Sequence, residues 1–251
     1  MISRVSLTHH PFGVEALLSR TTVLTYAAPA AELRCLLPEC LTLDTLDDQW
    51  GFVAVALVQT RQLRPQGLPA WLGQDFFLIG YRVFVRYTTA AGKRLRGLYI
   101  LQSATDKRRM QWLGNLFTGY HYRTIDIRHA ATETSLEFHS ERAGLHIAVA
   151  TVAAAAGEPG LPAGSPFGSW QQARRFAGPL PFTFSYQPAR REVVIVEGER
   201  EQWRPRPVRV QAAVVPFIES LGLSDVRLAS AFTMTDIPYR WKKGRTERWQ
   251  P

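Results

Sequence analysis

The stretch WGFVAVALVQTRQLR, from Trp50 to Arg64, sets the expected fold class. In an extended conformation its apolar residues occupy both faces: Val53, Val55 and Leu57 on one, and Phe52, Ala54, Ala56 and Val58 on the other. A strand that is apolar on both faces is buried on both sides, which is typical of a barrel or a covered sheet. The segment therefore predicts a sheet with protein packed against each face.

The next strand-like segment, Phe76–Thr88, carries charge on one face only. Its alternation places Phe77, Ile79, Tyr81, Val83, Val85 and Tyr87 on one side and Arg82, Phe84 and Arg86 on the other. Ala90–Lys93 supplies a turn and Leu95–Ser103 a return strand, so this region predicts a β-hairpin. Arg82 is either solvated or projects into a cavity.

The remaining segments are short and mostly strand-like. Further strands are predicted at His121–Arg128, Ser135–Ser140, Leu145–Val152, Phe182–Tyr186, Val193–Glu197, Val208–Val215 and Val226–Thr235, and helices at Ala30–Leu37, Asp106–Phe117, Trp170–Phe176 and Pro216–Leu221. These helices are too short to serve as crossovers in a parallel sheet. We expect one α+β domain over residues 1–251, mainly an antiparallel sheet curled into a barrel, with Gly157–Gly168 as an internal loop.

The composition is that of an ordinary globular protein, with 46% hydrophobic and 20% charged residues. Lys and Arg exceed Asp and Glu by 30 to 21, but this surplus is dispersed along the chain. Two cysteines, Cys35 and Cys40, cannot form a disulfide scaffold or complete a zinc site. The N-terminus lacks a signal peptide, and Leu145–Ala156 is shorter than the roughly 20 residues of a membrane helix. A cytoplasmic protein without a membrane partner is expected, and a homo-oligomer is left open.

Several common catalytic motifs are absent from the sequence. There is no glycine-rich dinucleotide or phosphate loop, no His-Glu-x-x-His and no Gly-x-Ser-x-Gly. The adjacent His9 and His10 would point in different directions, so we interpret them as solvent-facing or loop residues. No metal ion, cofactor or catalytic residue is predicted.

The densest polar and aromatic cluster is Gly119–Arg123 (GYHYR), directly after the predicted helix. Phenols, an imidazole and a guanidinium at the mouth of a sheet would suit a small anion. Arg82 and Arg123 are candidate anchors for a carboxylate, and the candidate wall residues are Tyr99, Tyr120, His121 and Tyr122. In the alternative interpretation, the two aromatic residues pack against the helix end while His121 and Arg123 face water.

A basic C-terminal tail is expected from about residue 240. It carries five basic residues between Arg240 and Arg248, interleaved with Trp241 and Trp249. Basic and aromatic residues together could bind nucleic acid through phosphate contacts and stacking. A protein or nucleic-acid interaction module is thus the alternative function, although a solvated terminus is commoner and no nucleic-acid partner is expected.

Five segments in order resemble the uncharacterised YqjF-like family, which looks related to acetoacetate decarboxylase. They are PAAELRCLLP (29–38), GFVAV (51–55), GYRVFVR (80–86), GLYILQS (97–103) and FTGYHY (117–122). The resemblance implies a single domain in which a cone-shaped antiparallel barrel encloses a cavity. A small organic acid is the ligand that we expect there.

The same resemblance bears on catalysis. The decarboxylase uses a lysine nucleophile within a Gly-aromatic-Pro-Lys-Lys pattern, in which the second lysine lowers the pKa of the first. When this pattern is aligned with Gly119–Arg123, Tyr122 takes the position of the nucleophilic lysine and Arg123 the position of the second lysine. The family's strand glutamate would fall near Leu78. Because Tyr122 cannot form an imine, acetoacetate decarboxylase activity is not expected, and the sequence leaves open whether another reaction is catalysed.

Overall fold

The computed structural model describes residues 7–151, 160–178 and 180–250. Its strands are β1 Val14–Pro29, β2 Thr42–Leu43, β3 Trp50–Pro65, β4 Gln74–Thr88, β5 Arg94–Thr105, β6 Tyr122–Thr124, β7 Arg128–Ala131, β8 Ser135–Ser140, β9 Leu145–Thr151, β10 Phe182–Gln187, β11 Glu192–Arg200, β12 Arg206–Val214, β13 Arg227–Trp241 and β14 Arg245–Arg248. The α-helices are α1 Ala30–Arg34, α2 Arg108–Phe117, α3 Trp170–Ala177 and α4 Pro216–Glu219. Short 3-10 turns lie at Leu7–His9, Ala70–Leu72 and Pro188–Arg190.

Seven strands form a closed ring. Their order is β11–β10–β5–β4–β3–β1–β13, and β13 pairs back with β11 at Gly198–Arg200. All neighbours in the ring are antiparallel except β5 and β10, which run parallel over three residue pairs. The predicted α+β class, mainly antiparallel with a few short helices, is confirmed.

A second sheet covers the outer face of the ring. It runs β7–β8–β9–β12 and joins the ring where β12 pairs with β13 at Arg206 and Pro207. Outward-facing ring residues pack against it, as the Phe77 and Phe138 rings do at 5.7 Å between centroids. This layer explains why Val53 and Val55 are buried on the outside of β3.

Aromatic side chains fill one end of the ring's interior. Phe52, near the start of β3, stacks on Phe167 at 5.0 Å and lies 4.8 Å from Phe176 on α3. Phe84 of β4 joins this cluster, which we call the aromatic plug. The other end of the interior is not filled.

Some elements differ from the sequence prediction. β1 was not predicted, although Thr21–Tyr26 is rich in β-branched residues; only Glu15–Leu18 favour a helix and depend on pairing with β3 and β13 for their extended state. The single strand predicted over His121–Arg128 is wrong: β6 and β7 flank an irregular stretch. There Asp126 accepts hydrogen bonds from the Ser140 hydroxyl at 2.7 Å and the Arg142 amide at 3.1 Å.

The other predicted segments are placed within a few residues of their expected bounds, except that β13 continues to Trp241, beyond the predicted end at Thr235. Val152, the last residue of the strand predicted from Leu145, lies outside the described residues, as do residues 157–159 of the predicted loop. None of the helices in the described part of the chain has the length and apolar character needed for a membrane crossing. The single domain over residues 1–251 stays a prediction.

Candidate functional site

A cavity of about 510 Å³ occupies the unfilled end of the ring. Its walls come from the inner faces of β1, β3 and β4, from α2, and from residues of β11 and β13. Most of its lining is apolar. The polar and charged exceptions in the described lining are His10, Thr21, Thr60, Arg64, Gln74, Arg82, Ser103, Arg109, Thr118, Tyr120, Tyr122, Thr183, Arg200, Trp203, Tyr239 and Trp241.

Arg82 enters the cavity from the inner face of β4. Strand alternation puts it on the same face as Gly80, and a Cβ at Gly80 would lie only 2.7 Å from the Arg82 Nε. The glycine thus leaves room for the guanidinium to lie over the strand. The Nε is buried without a hydrogen-bond partner, and no Asp or Glu among the described residues forms an ion pair with this side chain. Burial lowers the pKa of Arg82 from its usual range.

A second guanidinium, that of Arg200, comes from the end of β11. It stacks on the Trp203 ring at 4.0 Å and lies 5.8 Å from the ring centroid of Tyr239. Burial lowers the pKa of Arg200, and the neighbouring charge of Arg82 lowers it further. The cavity therefore holds two guanidinium groups that disfavour each other's charge and lack a carboxylate partner among the described residues.

Three phenols surround this arginine pair. Burial raises the pKa of Tyr122 to about 12, and burial also raises that of Tyr120, so both hydroxyls stay protonated at neutral pH. The Tyr120 hydroxyl is buried and lies beside the Thr183 side chain. Tyr239 lies across Gly198, where a Cβ would be 2.1 Å from its hydroxyl. Each phenol can donate to an anion held by the arginines.

The α2 helix fixes the Tyr122 backbone. The Asn115 side chain accepts from the Tyr122 amide at 2.7 Å and donates to the Tyr122 carbonyl at 3.0 Å. Gly114 lies against the Tyr122 ring, where a Cβ would approach within 2.4 Å. The phenol is thereby held between α2 and the ring of strands.

His10 also lines the cavity, which the interpretation of His9 and His10 as solvent-facing or loop residues did not anticipate. It is only 8% exposed and lies 6.1 Å from the Tyr120 ring. Its amide donates to the Phe117 carbonyl at 2.9 Å, and its carbonyl accepts from the Gly244 amide at 2.8 Å. Burial lowers the pKa of His10, so its imidazole is neutral at neutral pH.

The buried imidazole gives a pH-dependent stability. Below about pH 6.5 the unfolded chain protonates this histidine, whereas the folded protein holds it neutral, so acid favours unfolding. The free energy of unfolding should fall between about pH 7 and pH 5, and should fall less in His10→Asn. Asparagine tolerates the φ of 55° at this position. Denaturant titrations at a series of pH values test this.

The control for this experiment is His121→Asn. His121 has a similar φ of 53° but an exposed side chain. A wild-type pH dependence that His10→Asn leaves unchanged would contradict the prediction.

The structure brings together three of the six predicted site residues. Arg82, Tyr120 and Tyr122 line the cavity, whereas the side chains of Tyr99, His121 and Arg123 lie outside it. Tyr99 alternates with Leu98 and Ile100, which face the cavity, and therefore packs into the outer core. His121 and Arg123 flank Tyr122 on the exposed side, as the alternative interpretation held.

Sequence reasoning missed Arg200 and Tyr239. Both lie beyond the ends of the predicted strands, which stopped at Glu197 and Thr235, while β11 and β13 continue to Arg200 and Trp241. The available signal was Gly198, two residues before Arg200 on the same face of the strand.

The expected basic tail is part of the sheet. Residues up to Trp241 belong to β13, and β14 (Arg245–Arg248) pairs with β11. The Lys242 ammonium lies 2.8 Å from Glu199 and 3.1 Å from Glu197. Trp241 packs on Tyr239 at 4.3 Å and lines the cavity. The aromatic residues of this segment therefore serve packing, and its charges are partly neutralised.

The cavity lacks the groups that imine or metal chemistry requires. None of the four lysines, Lys93, Lys107, Lys242 and Lys243, is among the lining residues, and the described lining contains no Asp or Glu. In the described part of the chain no three His, Cys, Asp or Glu residues group closely enough to hold a metal ion. The arrangement is suited to holding an anion.

Comparison with known proteins agrees with this fold. The model of the family DUF2071, described as an uncharacterized conserved protein, matches residues 15–238. Among curated proteins, none matches the chain. The resemblance to an uncharacterised family is confirmed, and the fold is that of acetoacetate decarboxylase-like proteins.

Solved structures with this fold include enzymes. An acetoacetate decarboxylase-like enzyme from Sphingomonas wittichii RW1 is 15% identical, with a TM-score of 0.56 over 100% of this chain and 97% of that one. Acetoacetate decarboxylase from Legionella pneumophila is 14% identical, with a TM-score of 0.59 over 98% and 92%. The enduracididine biosynthesis enzyme MppR complexed with pyruvate is 11% identical, with a TM-score of 0.53 over 99% and 95%. These similarities establish the shared fold.

Proposed function

Since the chain belongs to the DUF2071 family of uncharacterized conserved proteins, we propose from the cavity itself that the protein binds a small organic acid. The observation that carries the proposal is the pair Arg82 and Arg200, which line a mostly apolar cavity without a carboxylate partner among the described residues. A guanidinium offers paired donors to a carboxylate. An acid would supply the missing countercharge.

The surroundings of the pair support the same ligand class. The protonated phenols of Tyr120 and Tyr122 donate to a carboxylate without adding negative charge. The neutral His10 adds a further polar contact. Apolar walls exclude water and strengthen each of these interactions. MppR complexed with pyruvate, a small acid, has this fold.

A thermal-shift screen of keto, hydroxy and aromatic acids tests the proposal. A ligand at a hundredfold excess over its dissociation constant stabilises the folded state by about 2.7 kcal/mol, which for a chain of this length shifts the melting temperature by several degrees. The acids that raise the melting temperature should still do so at raised ionic strength. Binding inside the cavity is less sensitive to salt than binding of an anion to exposed basic residues on the surface. A screen without hits at either salt concentration would contradict acid binding.

The proposed site excludes decarboxylation through a Schiff base, because all the lysines lie outside the cavity and the resemblance aligns Tyr122 with the lysine nucleophile of the decarboxylase. Incubation with a β-keto acid and borohydride should leave the protein's mass unchanged. A reduced adduct on any of the four lysines would overturn this prediction. The authentic decarboxylase, treated in parallel, provides the positive control.

A further inference from the structure

The cavity is open to solvent where its lining residues are exposed. Its exposed lining residues, Phe12, Pro65, Leu68, Leu72 and Arg109, come from the segment before β1, the β3–β4 connection and α2. These segments are joined: the Gln66 amide donates to the Gly13 carbonyl at 2.9 Å, and the Phe12 ring lies 5.2 Å from that of Phe117 on α2. The residues Phe12, Leu68 and Leu72 form what we call the rim.

The rim is unusually apolar for an exposed surface. Phe12 is 37% exposed, Leu68 43% and Leu72 46%, and the neighbouring Trp71 is 80% exposed. Contiguous apolar groups at a cavity mouth mark the entry of an apolar ligand or an interaction site. Arg64, which lies beside the rim, is neutralised by Glu15 at 2.6 Å. The rim itself is therefore apolar, and Arg109 of α2 is an exposed charged residue at the same opening.

The path between the rim and the arginine pair is long and mostly apolar, with Thr60 and Gln74 as polar exceptions. On β4 it runs from Gln74, opposite Leu63, to Gly80, beneath the Arg82 guanidinium. Six residues of strand span about 20 Å at roughly 3.3 Å per residue. Along this distance the walls are formed by Val58, Leu63, Phe76, Leu78, Met110 and Leu113. A two- or three-carbon acid would leave this path empty.

We propose that the acid bound here is amphipathic, with a carboxylate paired to Arg82 and Arg200 and an extended apolar chain that fills the path to the rim. The inference rests on the proposed function and specifies its ligand class. A cavity of about 510 Å³ accommodates a chain of this kind. Burial of the chain supplies binding free energy in proportion to its length.

Calorimetric titration with hexanoate, octanoate, decanoate and dodecanoate, each below its micellar concentration, tests the inference. A methylene moved from water into the cavity tightens binding about fourfold, so the four extra methylenes of dodecanoate should make it bind roughly 200-fold more tightly than octanoate. Dodecanol, which lacks the carboxylate, should bind more weakly than dodecanoate.

Two variants distinguish the contribution of the ligand's apolar chain to binding from that of its carboxylate. Leu63→Trp narrows the path and should weaken dodecanoate binding without changing hexanoate binding. Retained hexanoate binding also shows that the variant is folded. Leu72→Ser changes an exposed rim residue and should reduce dodecanoate affinity alone.

The possible failures are distinguishable. If hexanoate binds but dodecanoate binds no more tightly, the chain inference is wrong and the proposed function stands. If no acid of any length binds, or if dodecanol binds as tightly as dodecanoate, the carboxylate site itself is wrong.

Discussion

The variant Arg82→Met is expected to melt at a higher temperature than the wild-type protein and to lose acid binding. Arg82 brings a charge into an apolar cavity without a countercharge among the described residues, and its Nε has no hydrogen-bond partner. A partnerless charge in such a site costs free energy of folding, and an apolar side chain of similar length removes that cost. A residue kept at the expense of stability is typical of a functional site.

The two effects have opposite signs. We expect a gain of about 1 kcal/mol or more in stability, which is roughly 2–4 °C in melting temperature for a chain of this size. Losing hydrogen bonds between a charged group and a carboxylate costs about 2–4 kcal/mol of binding, or roughly 30- to 1,000-fold in Kd. Differential scanning calorimetry and ligand titration measure both.

The matched control is Arg86→Met, on the same face of the same strand. The Arg86 guanidinium lies 2.5 Å from Asp44, whose side chain is fully buried. Losing this partner should lower the melting temperature, although Arg96 also contacts Asp44. If Arg82→Met lowered stability as Arg86→Met does, Arg82 would be a structural residue and the acid site would lose its support.

Phe52→Ala should cause the largest loss of stability, about 3–5 kcal/mol. Its side chain is 0% exposed and contacts Phe84, Phe167 and Phe176 in the aromatic plug. Truncation leaves a void that the strands of a closed ring cannot collapse to fill. Urea titrations measure the change in the free energy of unfolding, provided that the m-value is the same in the variant and the wild-type protein.

Phe12→Ala is the control for this prediction. Phe12 is 37% exposed at the rim, so its truncation should cost much less stability than that of Phe52. A loss below about 1 kcal/mol in Phe52→Ala would show that the plug does not hold this end of the ring.

A strand of the ring could be predicted from sequence where the alternation of its own side chains shows which faces are buried. Val53 and Phe52 show by alternation alone that both faces of β3 are buried, and the structure places them in two separate cores. β1 also carries a local signal, the β-branched residues of Thr21–Tyr26, whereas Glu15–Leu18 are extended only through partners far along the chain. Intrinsic preference at Glu15–Leu18 is for helix, and the pairing overrides it.

The candidate site was predictable only in part for the same reason. Arg82 could be assigned to the cavity because it lies on the opposite face of β4 from most of the apolar residues. Tyr122 could be assigned to it because it belongs to the polar and aromatic cluster Gly119–Arg123. The side chain of Tyr99 points into the outer core. The pairing of β5 with β4 and β10 decides which side of β5 faces the cavity, and the local sequence pattern does not show it. Arg200 reaches the cavity only because β11 closes the ring against β13, a contact that sequence spacing does not reveal.

The pairing of β1 with β13 has a consequence for the order in which the chain folds. β1 can pair with β3 early, but its other edge is covered by Arg227–Trp241, about two hundred residues later. Closing so long a loop is entropically costly, and non-local pairing of this kind slows folding. During synthesis, β1 therefore presents an unpaired, largely apolar edge until nearly the whole ring has been made. The nascent protein is vulnerable to aggregation along this edge until β13 has been made and pairs with it.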